Sequence, residues 1–273
     1  MHTRKIPATG EMLPVIGLGT WRTFDVGSGT AERAPLAEVL KALFEAGGSV
    51  IDSSPMYGRA EGVAGDLLAS AGSRSKAFLA TKVWTNGREA GIAQMRRSFE
   101  LLRTDRIDLM QIHNLLDWQT HLPTLQAWKK DGRVRLIGVT HYTAGAHASL
   151  QSVLQQQSFD FVQVDYSIED RSAERSLLPF ARDKGIAVLI NLPFGGGELM
   201  HRLAGRKLPG WAAEIGCTSW AQVLLKFVLA NPAVTAVIPG TSKPAHMRDN
   251  AQAGLGVYPD AAMLKRMIAE VGT

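Results

Sequence analysis

Short apolar runs alternate with longer amphipathic ones along this chain, and that alternation limits its possible folds more than any other feature. Eight strand-like runs stand out, at residues 15–21, 50–52, 78–83, 107–113, 136–140, 161–164, 187–192 and 234–239. Helix-like segments fall between them at 36–46, 61–71, 90–102, 122–130, 144–156, 176–184 and 219–230. Several end in a glycine turn leading to the next strand, as at Gly47, Gly132 and Gly185, which fits left-handed helix C-caps. Strand–helix units recurring mostly every 25 to 35 residues or so, with no long linker, favour a (β/α)8 TIM barrel over an open doubly wound sheet. The pair Gly17 and Gly19 does not open a dinucleotide fingerprint, because Arg22 stands where the third glycine belongs.

Residues 6–15, with a turn around Gly10, read as a β-hairpin ahead of the first barrel strand. The 273 residues are expected to form one barrel domain, 1–273. The net charge of +5 is spread along the chain rather than massed, which argues against a nucleic-acid surface and suits an anionic small ligand such as a phosphorylated cofactor. The single cysteine, Cys217, excludes an intrachain disulfide and any multi-cysteine metal site, so no metal is expected. There is no apolar segment after the basic residues near Met1, and no run of the roughly 18 to 20 apolar residues that a membrane span needs. A cytoplasmic protein without membrane contact is the expectation.

Three polar residues sit at the C-terminal ends of successive strands: Asp52 on the second, Lys82 on the third and His113 on the fourth, with Tyr57 in the loop after the second. Taken singly each has a bland reading: a turn carboxylate, a solvated lysine, a core histidine, a packed tyrosine. In a barrel, however, neighbouring strand ends converge on one face. A phenol with an ordinary pKa of about 10 is a poor acid near neutrality. A buried ammonium beside it is expected to lower that value, and a carboxylate to keep the ammonium charged and in place. A histidine adds a second hydrogen-bond donor for an oxygen gaining negative charge. The set suits reduction of a C=O group, and since no side chain donates hydride, a nicotinamide cofactor is the expected source.

The segments Gly17-Leu18-Gly19-Thr20-Trp21, Ile51-Asp52-Ser53-Ser54-Pro55-Met56-Tyr57-Gly58, Thr81-Lys82-Val83-Trp84, Ile107 through His113 and Ile238-Pro239-Gly240-Thr241-Ser242 resemble, in order and spacing, the signatures of the aldo-keto reductases. The resemblance runs to about Asn250. It implies a (β/α)8 barrel binding NAD(P)H without a Rossmann fold, and a catalytic tetrad of Tyr57, Lys82, Asp52 and His113. It further implies cofactor contacts from Gly19, Thr20 and Trp21, and hydrogen bonds to the carboxamide from Thr140, His141 and Gln163. Asn191 stands where many members stack a tyrosine on the nicotinamide, and is followed by Leu192, Pro193, Phe194 and Gly195. The segment Gly240, Thr241, Ser242, Lys243 and His246 resembles the one that holds the adenosine 2'-phosphate, with Asp249 and Asn250 at the adenine positions. NADPH is expected, with NADH possible. Trp21, Met56, Trp84 and Trp118 are candidate substrate-pocket residues, although Trp118 is equally well explained by helix packing. The chain ends at Thr273, soon after the eighth helix, so an open pocket for an apolar or aromatic aldehyde or ketone is expected. Two rival readings stay open: a nucleotide-binding, redox-sensing regulatory subunit, and a lyase using Lys82 as a Schiff-base amine, against which Asp52 counts.

Overall fold

The computed structural model describes residues 1–271 and closes eight parallel strands into a barrel. An antiparallel hairpin, β1 (Thr3–Lys5) and β2 (Met12–Pro14), precedes it. The barrel strands are β3 (Leu18–Gly19), β4 (Val50–Asp52), β5 (Phe78–Val83), β6 (Ile107–His113), β7 (Val134–Thr140), β8 (Phe161–Asp165), β9 (Ala187–Asn191) and β10 (Ala236–Val237), neighbours in sequence being neighbours in the sheet. The helices are α1 (Thr30–Glu45), α2 (Ala60–Ser70), α3 (Arg88–Leu101), α4 (Trp118–Lys130), α5 (His147–Gln156), α6 (Leu177–Asp183), α7 (Glu198–Arg202), α8 (Trp220–Ala230), α9 (Pro244–Gln252) and α10 (Ala261–Val271).

The expected alternation is present, and its departures have local causes. The first helix starts at Thr30 rather than Leu36, because its exposed first turn carries no apolar periodicity. The fifth starts at His147 rather than Ala144, after one 3-10 turn at Ala144–Ala146. The first strand contracts from 15–21 to Leu18–Gly19, since its earlier part meets the sheet only through an isolated bridge. Between β9 and β10 the spacing lengthens to admit α7 and the 3-10 segment Gly210–Ile215 before α8. Gly47, Gly132 and Gly185 have the positive φ that a left-handed helix end requires.

Closure of the barrel depends on glycine. Ile16 pairs with Val237 and Gly19 with Gly240, joining the first strand to the last. A Cβ on Gly17 would lie 2.7 Å from Val50 Cβ, and one on Gly19 2.8 Å from the Ile238 carbonyl oxygen. Any larger residue would push the seam apart.

The two-residue period of a strand sorts the barrel interior into layers. At the bottom, Val50, Phe78, Leu109, Leu136, Phe161, Ala187 and Ala236 pack together, and Ile6 and Leu13 of the hairpin join the same buried cluster and plug that end. Two or four residues further along the same faces come Asp52, Lys82, Gln111, His113, Gln163 and Asn191. The interior therefore changes from apolar to polar toward the C-terminal ends of the strands. Outward-facing residues such as Met110, Ile112 and Val162 pack under the helices in the larger core. Cys217 belongs to that core, and burial pushes its thiol up to about 11, in keeping with a packing role.

Candidate active site

Lys82 is completely buried, and its three donors are all used. Nζ lies 2.9 Å from Asp52 Oδ1, 2.8 Å from Asp52 Oδ2 and 2.7 Å from the Ser53 carbonyl oxygen. Burial alone pulls the Lys82 pKa down, but Asp52 and then Tyr57 outweigh it, and the net shift is upward. The amine is held charged, which removes the nucleophile that a Schiff-base lyase requires. Asp52 also accepts from Gln111 Nε2 at 3.3 Å and from Gln163 Nε2 at 3.4 Å, while Gln111 Nε2 reaches Gln163 Oε1 at 2.8 Å. The carboxylate thus sits among amide donors contributed by β6 and β8.

Tyr57 lies above this pair. Lys82 Nζ is 5.1 Å from the centre of its ring, and the His113 imidazole meets it edge-on, with ring centroids 5.8 Å apart and planes at 87°. The backbone delivers the phenol through a turn in which Tyr57 N–H donates to Ser54 O at 3.0 Å. One expectation is corrected here. Burial raises the Tyr57 pKa more than Lys82 lowers it, and Asp52 adds to the rise, so the phenol titrates above its ordinary value rather than below it. It holds its proton at neutral pH.

His113 is buried, and its pKa falls to about 2 through burial, then the Lys82 charge, then His141. The imidazole is neutral at any working pH. Its Nδ1 lies 2.9 Å from Ser54 Oγ.

The other expected residues ring the same end of the barrel. Trp21, Met56 and Trp84 are exposed apolar side chains in the loops after β3, β4 and β5, which fits an open mouth. Trp118 begins α4 and lies half-buried against the core. Thr140 ends β7. The following His141 accepts at Nδ1 from the backbone N–H groups of Tyr142 (3.1 Å) and Thr143 (3.3 Å), which leaves its proton on Nε2 as a donor. Asn191 ends β9, and its buried Oδ1 has no hydrogen-bond partner among the described residues. Lys243 caps α9, with Pro244 at the first helical position and His246 and Arg248 exposed. The Asp249 carboxylate accepts from Ser219 Oγ at 2.7 Å and Gln222 Nε2 at 2.6 Å and so ties α9 to α8. Asn250 is buried beside it in sequence.

Three further residues belong to this region. Ser54 resembled any turn serine. Gln111, between Leu109 and His113 on β6, could have been found from the two-residue period that turns all three inward. Glu61 is buried on α2 and accepts from Thr81 Oγ1 at 2.6 Å, and burial raises its pKa. A further signal lies in the backbone: Arg22, Asn114, Leu115, Asp117 and Leu192 are all non-glycine residues with positive φ, and all lie in loops after the barrel strands. Such strain concentrates where a loop must hold a particular shape. Among the described residues no group of His, Cys, Asp and Glu is arranged to hold a metal ion, and no helix is long and apolar enough to cross a membrane.

These residues can hold a nicotinamide nucleotide. The face offers an unpartnered amide oxygen at Asn191, an N–H donor at His141 and a helix N-terminus flanked by Lys243.

The chain is also similar to known proteins. A model described as the aldo/keto reductase family matches residues 15–265. Methylglyoxal reductase YeaE of Escherichia coli (strain K12) is 30% identical over 262 residues, covering 92% of this chain and 89% of its own. An NADH-specific methylglyoxal reductase of Escherichia coli (strain K12) is 26% identical over 333 residues, covering 98% of each. The crystal structure of an aldo/keto reductase from Klebsiella pneumoniae in complex with NADP and acetate superposes with a TM-score of 0.83 at 25% identity, covering 99% of this chain and 96% of that one.

Proposed function

Because the chain belongs to the aldo/keto reductase family and is a carbonyl-reducing enzyme of it, we propose that Tyr57 is its proton donor, tuned by Lys82 and Asp52, with His113 polarising the substrate oxygen. The observation that carries this reading is the buried Asp52–Lys82 pair lying directly under a phenol whose other neighbour is a neutral imidazole. When bound, the reduced nicotinamide supplies hydride to the carbonyl carbon. The chain's own groups manage the oxygen. Tyr57 stays protonated until the carbonyl oxygen gains negative charge, and then transfers its proton. Lys82 stabilises the phenolate left behind, an effect strengthened by its complete burial. Asp52 keeps Lys82 charged, and Gln111 and Gln163 in turn hold the carboxylate.

The cofactor reading is NADPH, with NADH as the second. It is supported by the NADP complex of the Klebsiella pneumoniae protein and by Lys243 at the start of α9. The NADH-specific relative keeps the second nucleotide in play. The substrate reading is a small aldehyde or ketone reaching an open mouth lined by Trp21, Met56 and Trp84. The test is NADPH oxidation with methylglyoxal as substrate. Wild-type protein should turn over, and Tyr57→Phe should lose turnover while binding NADPH normally. Unchanged turnover in that variant sinks the mechanism, and NADPH binding without turnover on any carbonyl favours a regulatory subunit.

A further inference from the structure

The hydrogen-bond ledger around Ser54 decides a point that the position of His113 leaves open. Ser54 is completely buried, so its hydroxyl proton cannot be given to bulk water. Its Oγ has two partners: the Met56 N–H, which donates to it at 3.3 Å, and His113 Nδ1 at 2.9 Å. An N–H offers no lone pair. Among the described residues, the imidazole nitrogen is therefore the one partner able to accept the Ser54 proton. If Nδ1 carried the hydrogen instead, two donors would face Oγ and its own buried proton would have no acceptor, which is costly for a buried hydroxyl.

We propose that Ser54 is a positioning residue that fixes His113 in the Nε2–H tautomer, so that the imidazole meets the substrate oxygen as a donor and not as an acceptor. The inference rests on the carbonyl-reducing role proposed for the site. A neutral imidazole has one proton, and the atom that carries it determines whether the free ring edge attracts or repels a developing oxyanion. The turn Ser53-Ser54-Pro55 thus has two jobs. Its backbone delivers Tyr57, and its second serine orients the electronics of His113.

The experiment reads the tautomer directly. In 15N-imidazole-labelled protein without cofactor, two-bond proton–nitrogen NMR correlations should show His113 protonated on Nε2, with Nδ1 bare and hydrogen-bonded. In Ser54→Ala the Nδ1 resonance should move to that of an unbonded nitrogen, or an Nδ1–H population should appear. With methylglyoxal and NADPH, kcat in Ser54→Ala should fall about tenfold, as for loss of a group that orients another, while the NADPH dissociation constant stays unchanged. Ser54→Cys, which keeps a weak S–H donor, should fall between the two. A wild-type His113 protonated on Nδ1, or an Nδ1 resonance identical in wild type and Ser54→Ala, overturns the proposal. Because the spectra need no turnover, an absence of carbonyl reduction would remove the functional reading separately from the tautomer.

Discussion

Lys82 Nζ binds both carboxylate oxygens of Asp52, at 2.9 and 2.8 Å, with neither side chain exposed. A buried ion pair of this kind is a poor source of net stability, but breaking it leaves one uncompensated charge inside the barrel. Asp52→Asn and Lys82→Met should each lower stability by about 3–5 kcal/mol. The double variant should recover most of that loss, because it buries no lone charge, yet should have no turnover. Urea unfolding of the three proteins checks this, and additive losses in the double variant would refute the coupling.

The displaced His113 titration makes a signed prediction for acid stability. Its folded-state pKa of about 2 lies below the ordinary 6.5. Between those values the unfolded chain binds a proton that the native state excludes, so this contribution to stability is complete above pH 6.5 and is lost as pH falls toward 2. From pH 6.5 to 4.5 the loss should amount to roughly 2–3 kcal/mol, at about 1.4 kcal/mol per unit. His113→Asn should lack this slope. Chemical denaturation of both proteins across that range measures the difference, and parallel curves would mean that His113 titrates normally.

Two glycines of α2 should respond oppositely to alanine. A Cβ on Gly65 would lie 2.0 Å from the Leu101 carbonyl oxygen, where α2 crosses the end of α3, whereas one on Gly62 meets only a Leu101 methyl at 3.4 Å. Gly65→Ala should cost about 1–3 kcal/mol through overpacking. Gly62→Ala should be neutral or gain up to about 1 kcal/mol of helix propensity. Thermal melts of the pair check the contrast, and equal shifts would count against the close crossing.

These sites differ in how far the sequence discloses them. Lys82 and His113 were readable because strand periodicity and barrel closure bring consecutive strand ends together, whatever the side chains. The protonation of Tyr57 was not, because it depends on the balance between burial and the Lys82 charge, and a sequence names the charge but not the depth. Ser54 hid in a Ser-Ser-Pro turn, where hydroxyls need no special explanation. Gly65 hid because a helix glycine betrays its neighbour only when the crossing is known. What the alternation of elements encodes is the scaffold, while the setting of individual protons and close contacts emerges from packing.

The start of α9 yields a last prediction, on nucleotide choice. Lys243 is the residue just before the helix, Pro244 has no N–H to offer, and the Met247 N–H is taken by the Lys243 carbonyl oxygen at 3.2 Å. The Ala245 and His246 N–H groups are therefore the ones that point out of the helix end, and a phosphate placed there would also meet the Lys243 charge. Arg248 lies two residues beyond His246, roughly 200° around the helix, and projects to another side. Lys243→Ala should weaken NADPH binding about fivefold, in line with an exposed ion pair of about 1 kcal/mol, and leave NADH binding unchanged. Arg248→Ala should alter neither. Fluorescence titration with both nucleotides at low and high salt separates these outcomes. A loss of NADPH affinity confined to Arg248→Ala would move the 2'-phosphate to the other face of α9.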